Sequence, residues 1–261
     1  KSARVAAEGA VLADYCHECK VGAAVEVNSE TDFAAKSEKF LAFIKLCLKT
    51  VMEQNPADVD ALLACEVEGR TLQDILQDKV LVIGENLKIR RFTRYEGDCA
   101  SYVHMGGKIG VLVRFDTDVA DKEGFAEYGK DVAMQIAASQ PLYICPKSVP
   151  ESVLDHEKEV FLAQIDEDPK MAGKPDAVKE KMIEGKVGKY YKENCLISQA
   201  FIKDPDIDVE AYTEKVAKEL GGSIRIAEFV RFEKGEGLEK KAEENLADEV
   251  AKQIAQAQKK D

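Results

Sequence analysis

The tightest group of residues that could bind a metal ion or react as thiols is the run Cys16-His17-Glu18-Cys19. Its two cysteines have the spacing of zinc ligands, but no second pair follows to complete a tetrahedral site. The odd total of seven cysteines also argues against a disulfide framework. The run is more typical of the polar tip of a hairpin. We predict no metal site and no cofactor, and keep a metal- or thiol-dependent enzyme that uses Cys16 and Cys19 as a third hypothesis.

Other catalytic patterns are absent from the sequence. The three histidines are His17, His104 and His156, and their spacing matches no metalloprotease motif. No GxSxG or GxxxxGK[ST] motif occurs. The glycine-bearing segments 83–88 and 104–110 lack the strand–GxGxxG–helix context that holds a dinucleotide. We therefore predict a protein that is not an enzyme and has no catalytic residues.

Thr31, Asp32 and Phe33 lie where a strand-like run, AAVEVN, meets a helical pattern. The phenylalanine has two interpretations. It could pack against the following helix as a hydrophobic staple, or it could be held out for another molecule. Spacing alone favours the staple. In the same way, spacing favours His104 as a strand-end histidine beside a Gly-Gly turn, with a hydrogen bond to backbone.

Bulk composition limits the class of protein. The 261 residues are 45% hydrophobic, which is ordinary for a globular chain. No apolar run reaches the roughly 18 residues that a membrane span needs, and no signal segment opens the chain, so we expect a cytoplasmic protein without a membrane partner. The net charge of −12 argues against direct binding of nucleic acid.

The chain contains an internal repeat. When VEVNSETD (25–32) is placed over VLVRFDTD (111–118), five of eight positions are identical or keep an acid. Each predicted strand leads into an amphipathic helix. The apolar stripes are Phe40, Ile44, Leu48 and Val51 in the first copy, and Phe125, Tyr128, Val132 and Ile136 in the second.

A second pair of segments extends the repeat and predicts the fold class. IRRFTRYEG (89–97) aligns with IAEFVRFEKG (226–235), and both are typical of strands. We predict an α+β protein with two related subdomains, each a small antiparallel sheet with helices on one side. The predicted boundaries are 1–100 for the N-terminal core subdomain and 101–149 with 195–235 for the C-terminal one.

The remaining segments are predicted to be helical. Residues 150–194 form an insertion with two amphipathic patterns separated by Pro169 and Gly173, which predicts a projecting antiparallel hairpin. Residues 236–261 predict a C-terminal helix, with Ala242, Leu246, Val250 and Ile254 at four-residue spacing.

Several ordered segments together resemble the elongation factor Ts family of the bacterial type. VEVNSETDFAAKSEKF (25–40) resembles the family motif around Thr-Asp-Phe. IGENLKIRR (83–91), SYVHMGGKIGVLV (101–113) and VAMQIAASQPLYI (132–144) resemble later blocks, as do GKVGKYYKE, CLISQAFIKD and FVRFEKGEG. The opening KSARVAAEGA is similar to the linker after the family's small N-terminal helical domain, so that domain is expected to be missing here.

The resemblance implies a guanine-nucleotide exchange factor for elongation factor Tu, which it binds both with GDP and without nucleotide. It implies that the segment Thr31, Asp32, Phe33 and Ala34 disturbs the Mg²⁺ region of that GTPase. It implies further contacts from Ile83, Gly84, His104 and Lys1. The insertion resembles the family's coiled-coil module, so a homodimer within a heterotetramer is also expected. A scaffold that acts through this insertion is the alternative hypothesis.

Overall fold

A computed structural model describes residues 5–238, so Lys1 and residues 239–261 of the predicted C-terminal helix lie outside the described part of the chain. The first half contains, in order, β1 (Glu8–Cys16), β2 (Val21–Ser29), α1 (Asp32–Ala35), α2 (Glu38–Gln54), α3 (Val59–Ala64), β3 (Glu66–Val67), β4 (Arg70–Thr71), α4 (Leu72–Ile83) and β5 (Lys88–Glu96). Within the described residues, antiparallel pairing gives a three-stranded sheet in the order β1-β2-β5, and a small ribbon joins β3 to β4.

The second half repeats this plan. It contains β6 (Asp98–His104), β7 (Ile109–Thr117), α5 (Phe125–Ser139), α6 (Glu151–Glu167), α7 (Asp176–Asn194), β8 (Ala200–Phe201), β9 (Asp204–Asp208), α8 (Val209–Leu220) and β10 (Ile224–Glu233). Short 3₁₀ turns span Pro146–Ser148 and Leu196–Ser198. In the described residues the second sheet is also antiparallel, in the order β10-β7-β6. The predicted α+β class is therefore confirmed.

Both halves of the repeat carry the same irregularity. The first aligned segments fall on the central strands β2 and β7, and the second on β5 and β10. In β5 the pairing with β2 skips Arg90, and in β10 the pairing with β7 skips Ala227. These two residues follow the aligned Ile89 and Ile226. A bulge at matching positions bends each edge strand in the same way, which supports a common plan for the two sheets.

The two sheets pack against each other through one face and against helices through the other. In β7, Val111 and Val113 join the helical core, whereas Leu112 joins a cluster with Val11 and Ala24 of the first sheet. Side chains alternate across a strand, so both faces of this central strand are buried. The sheets approach so closely that a Cβ atom on Gly110 would lie 2.4 Å from Val11. Glycine is therefore required there.

The predicted helical stripes are confirmed. Phe40, Ile44, Leu48 and Val51 are buried in α2 against the first sheet. Phe125, Tyr128, Val132 and Ile136 are buried in α5 against the second. These helices therefore cover the outer faces of the two sheets, as their 3.6-residue periodicity requires.

The insertion folds as an antiparallel pair of helices, α6 and α7. Lys179 Nζ lies 2.6 Å from Asp166 Oδ1, and the Lys186 ammonium lies 5.2 Å from the centre of the Phe161 ring. Ile165 is buried in α6, but no residue of α7 is fully buried. The hairpin therefore contributes little to the core. No helix between residues 5 and 238 is both long and apolar enough to cross a membrane.

Candidate functional site

The corner after β2 consists of one short helical turn with two consecutive caps. Thr31 is the N-cap of α1, and its Oγ1 accepts a hydrogen bond of 3.2 Å from the Ala34 N–H. Ser37 then caps α2 by accepting from the Phe40 N–H at 3.2 Å. Each cap satisfies a backbone donor that a helix start leaves unpaired. The corner therefore has a defined backbone, although it is only a few residues long.

Phe33 points away from this corner into solvent and is 82% exposed. A hydrophobic staple would bury the ring against α2, so the staple interpretation is wrong for Phe33. Ala34 is buried beside it. The exposed part of the predicted segment is thus Phe33, with Thr31 and the partly exposed Asp32.

Asp32 is paired with a neighbouring lysine. Lys36 Nζ lies 2.7 Å from Asp32 Oδ2, one helical turn later. This bond, together with the charge of Lys234, lowers the pKa of Asp32 below the ordinary aspartate value. Asp32 therefore carries a negative charge at neutral pH, next to the exposed ring.

Glu85 joins the corner to the end of α4. Its carboxylate accepts hydrogen bonds from the Thr31 N–H at 3.0 Å and from the Thr31 hydroxyl at 2.6 Å. Just before it, Ile83 ends α4 and Gly84 caps the helix with a left-handed φ of 82°. The structure thus brings together two segments that the sequence singled out separately, 31–34 and 83–84. Glu85 itself was missed by sequence reasoning.

Two further exposed apolar residues lie beside this cap. Leu81 is 80% exposed and Val82 is 58% exposed. The buried face of α4 is defined by Leu72 and Leu76. The sequence feature that could have indicated this exposure is the run Val80 to Ile83, because four consecutive apolar residues cannot all face one side of a helix. We call Phe33, Leu81 and Val82 the apolar cluster.

His104 occupies the end of β6, as predicted, but its side chain partner differs. Its Nδ1 lies 2.9 Å from the Tyr102 hydroxyl, so the expected hydrogen bond to backbone is replaced by one to a side chain. The turn that follows exposes 70% of Met105. Gly107 in this turn has a φ of 102°, and its carbonyl accepts from the Val11 N–H at 2.8 Å.

Lys234 connects this turn to the corner. Its backbone N–H donates to the Lys108 carbonyl at 2.9 Å, and its ammonium lies 2.5 Å from Glu8 Oε2. Glu8 pairs with Ser29, the last residue before the corner. The His104 turn from the second sheet and the corner from the first sheet therefore lie at the same end of the molecule.

A fully buried carboxylate fixes the two sheets at this end. Glu26 accepts from Arg91 Nε at 2.6 Å, from Arg90 Nη1 at 3.1 Å and from the Gly235 N–H at 2.8 Å. Asn28 Nδ2 also donates to it, at 3.0 Å. Burial opposes ionisation of Glu26, but these donors outweigh it and lower its pKa below the ordinary value.

This network was missed by sequence reasoning. The sequence feature that could have indicated the network is the glutamate within the apolar strand run VEV, because a buried charge needs partners. Glu26 and its arginines belong to the first sheet, whereas Gly235 follows the last strand of the second. The network therefore holds the segment after β10 against the first sheet.

The cysteine run forms the turn between β1 and β2, as predicted for a hairpin tip. Among residues 5–238, no group of three or more histidine, cysteine and acidic side chains is placed to hold a metal ion.

This α+β protein of two related sheets exposes apolar side chains at one end, and exposed apolar surface of this kind is typical of proteins that act by binding another protein. A model of the family described as elongation factor TS matches residues 30–236. This chain belongs to the elongation factor Ts family, whose members are translation elongation factors.

Several relatives share most of their length with this chain. Elongation factor Ts of Trichlorobacter lovleyi is 44% identical over 260 residues, which cover 96% of this chain and 82% of the relative. The protein of the same name from Clostridioides difficile is 44% identical over 257 residues, covering 97% of this chain and 83% of the relative. That of Clostridium acetobutylicum is 42% identical over 262 residues, covering 98% and 84%.

Proposed function

We propose that this protein is a cytoplasmic guanine-nucleotide exchange factor that binds elongation factor Tu and promotes release of GDP without covalent chemistry of its own. The observation that carries the proposal is the exposed ring of Phe33 on a doubly capped corner. Because a defined backbone holds this large apolar side chain in solvent, the ring is already exposed before a partner binds. The membership of this chain in the elongation factor Ts family supports elongation factor Tu as the partner.

The mechanism follows from linkage. A GTPase holds GDP through backbone amides, a lysine and Mg²⁺, and the ion is often the largest local charge. A protein that binds the nucleotide-free GTPase more tightly than the loaded form must weaken GDP binding by the same factor. Phe33 acts as a wedge that fits the nucleotide-free form, and the charge of Asp32 acts near the segment that holds Mg²⁺.

Phe33 alone does not supply enough binding energy. Burying a phenylalanine contributes about 1.5–3 kcal/mol, or about one to two decades in affinity. The rest comes from contacts distributed over the same end of the molecule. We assign these contacts to Ile83 and Gly84, to Leu81 and Val82 beside them, and to the His104 turn with Met105.

Stopped-flow release of fluorescent GDP from elongation factor Tu tests the proposal. The release rate should rise with the concentration of this protein and reach a plateau well above the spontaneous rate. Without acceleration at saturating protein, the proposal would be wrong. Binding to GDP-bound and to nucleotide-free elongation factor Tu, measured separately, should show tighter binding to the nucleotide-free form.

A second candidate function is a scaffold that binds through the helical hairpin, with the same hairpin mediating a homodimer within a heterotetramer. The supporting observation is the set of partly exposed apolar residues on α6 and α7, namely Val160, Leu162 and Val178. We take 150–194 as a separate module between 101–149 and 195–235. The two chain segments that lead into and out of this module lie side by side, because Tyr143 and Cys195 form an isolated β-bridge.

Replacement of 150–194 by a short Gly-Ser linker separates the two candidates. If the exchange proposal holds, the shortened protein still accelerates GDP release, and only self-association in sedimentation experiments is lost. If the scaffold proposal holds, the deletion abolishes partner binding while substitutions at Asp32 and Phe33 have no effect.

A further inference from the structure

Two thiols lie together at the turn between β1 and β2. Cys16 is the last residue of β1 and pairs with Val21, so the chain reverses within four residues. The Cys19 N–H donates a hydrogen bond to Cys16 Sγ at 3.2 Å. Cys19 is exposed and Cys16 is half-buried. The turn therefore holds one sulfur against the backbone of the other cysteine.

The surroundings make Cys16 the more reactive thiol. The Cys19 thiol and the Cys19 N–H lower the pKa of Cys16, whereas the pKa of Cys19 itself is raised by its neighbour. A thiolate is the reactive form of cysteine. By contrast, burial raises the pKa of Cys99 to about 12 and that of Cys195 to about 11.

The pair is also accessible and held in place. Cys16 and Cys19 both line a cavity of about 590 Å³, whose other walls include Leu48 and Met52 of α2. The turn is anchored by Lys20, whose carbonyl accepts from the Gly97 N–H at 2.8 Å and whose ammonium lies 2.7 Å from Asp98. A reagent can therefore approach two thiols whose separation the fold restricts.

We propose that Cys16 and Cys19 form a dithiol modification site that hydroperoxides oxidise to a disulfide within the turn. This site is independent of the proposed exchange activity. The geometry sets Cys16 as the attacking thiol and Cys19 as the resolving thiol, since the sulfur of Cys16 accepts a hydrogen bond from the Cys19 N–H, which stabilises its thiolate.

The reaction has two balanced steps. The Cys16 thiolate attacks the terminal oxygen of the hydroperoxide, the O–O bond breaks, and the alkoxide leaves and takes up a proton as an alcohol. This gives a sulfenic acid on Cys16. The Cys19 thiolate then attacks the Cys16 sulfur, the S–O bond breaks, and hydroxide leaves as water. Two thiols and one hydroperoxide thus give one disulfide, one alcohol and one water.

Peptide mapping after a brief hydrogen peroxide pulse tests the proposal directly. Trypsin cleaves after Arg4 and Lys20, so residues 5–20 form one peptide that contains Cys16 and Cys19 and no other cysteine. After alkylation, this peptide should appear lighter by two hydrogens and without alkyl groups. The peptide 131–147, with the half-buried single Cys145, is the internal control and should remain alkylated.

Two variants assign the roles. In Cys19→Ser, peroxide should leave a sulfenic acid on Cys16 that dimedone traps, because the resolving thiol is missing. In Cys16→Ser, Cys19 should remain a free thiol at the same dose. The proposal is overturned if peptide 5–20 of the unaltered protein remains fully alkylated at the dose that oxidises Cys145, or if its disulfides link to other peptides.

Discussion

Phe33 and Val119 occupy equivalent positions in the two halves of the repeat, yet Phe33 is 82% exposed and Val119 is 3% exposed. Each follows the Thr-Asp pair at the end of a central strand. In the second half the Val119 N–H donates to the Thr117 hydroxyl, and the side chain packs into the core beneath the second sheet. In the first half the same position is the second residue of α1 and faces solvent. The shared corner is structural, and the exposed aromatic is particular to the first copy.

Phe33→Ala should slow the maximal rate of GDP release from elongation factor Tu by about ten- to a hundredfold, because a buried phenylalanine at an interface contributes about 1.5–3 kcal/mol. Its urea midpoint should hardly change, since the ring makes few contacts in the free protein. Val119→Ala is the matched control. It should lower the free energy of unfolding by about 1.5 kcal/mol or more and leave exchange by the folded protein unaltered. A large loss of stability in Phe33→Ala would contradict the wedge assignment.

Leu81→Ala should weaken binding to nucleotide-free elongation factor Tu, with a thermal midpoint close to that of the unaltered protein. The reason is that Leu81 lies on the outer face of α4, in the apolar cluster. Leu76→Ala, on the buried face of the same helix, should instead cost about 2–5 kcal/mol of stability. Calorimetric titration and thermal melts of both variants provide the comparison. If Leu81→Ala and the unaltered protein bind with equal affinity, Leu81 does not contribute to the interface.

Glu85→Ala should lower the rate of GDP release by a larger factor than it lowers the folding equilibrium constant. The substitution removes both acceptors of Thr31, so the corner loses its attachment to the end of α4. Each lost hydrogen bond at this exposed position contributes about 0.5–1.5 kcal/mol. Glu85→Gln keeps one oxygen acceptor and should show a smaller effect on GDP release. If the two variants have the same rate as the unaltered protein, Glu85 does not position the corner.

The stability of the protein should decline in acid through Glu26. Its pKa in the folded state is lowered, so its contribution is complete above the unfolded glutamate pKa of about 4.3 and is lost as the pH falls through the lower folded value. Glu26→Gln should therefore destabilise the protein by about 1.5–3 kcal/mol at neutral pH, because it weakens bonds to charged donors. It should also flatten the dependence of unfolding free energy on pH below about 4.3. Urea titrations across this range measure both effects.

Glu96→Gln is the control for that measurement. Glu96 is bonded to Arg94 on the same strand, but its side chain is 70% exposed. An exposed pair contributes about 0–1 kcal/mol, so the variant should keep the pH dependence of the unaltered protein. If Glu26→Gln behaves like Glu96→Gln, the buried network does not secure the segment after β10.

Local patterns in the sequence predicted much of this fold. The stripes on α2 and α5, the strands β2, β5, β7 and β10, the helical insertion and the turn at the cysteine run depend on short-range periodicity and turn residues. The repeat predicted two related sheets, and the ordered motifs indicated the family. Local patterns could not decide the environment of Phe33, for which a staple was the favoured interpretation. The reason is that a ring after a strand can face either way without changing the pattern.

The composition of the candidate site was decided by contacts between distant segments. Glu85 meets Thr31 across 54 positions, and Gly235 meets Glu26 across 209. Such pairs exist only after α4 has packed on the first sheet and the two sheets have packed on each other. The sequence by itself determined the elements, the repeat and the residue types at the corner. The tertiary structure alone decided that Phe33 faces solvent and that Leu81 and Val82 lie exposed at the end of α4. It also decided that a buried carboxylate joins the two halves, because burial depends on what each element packs against.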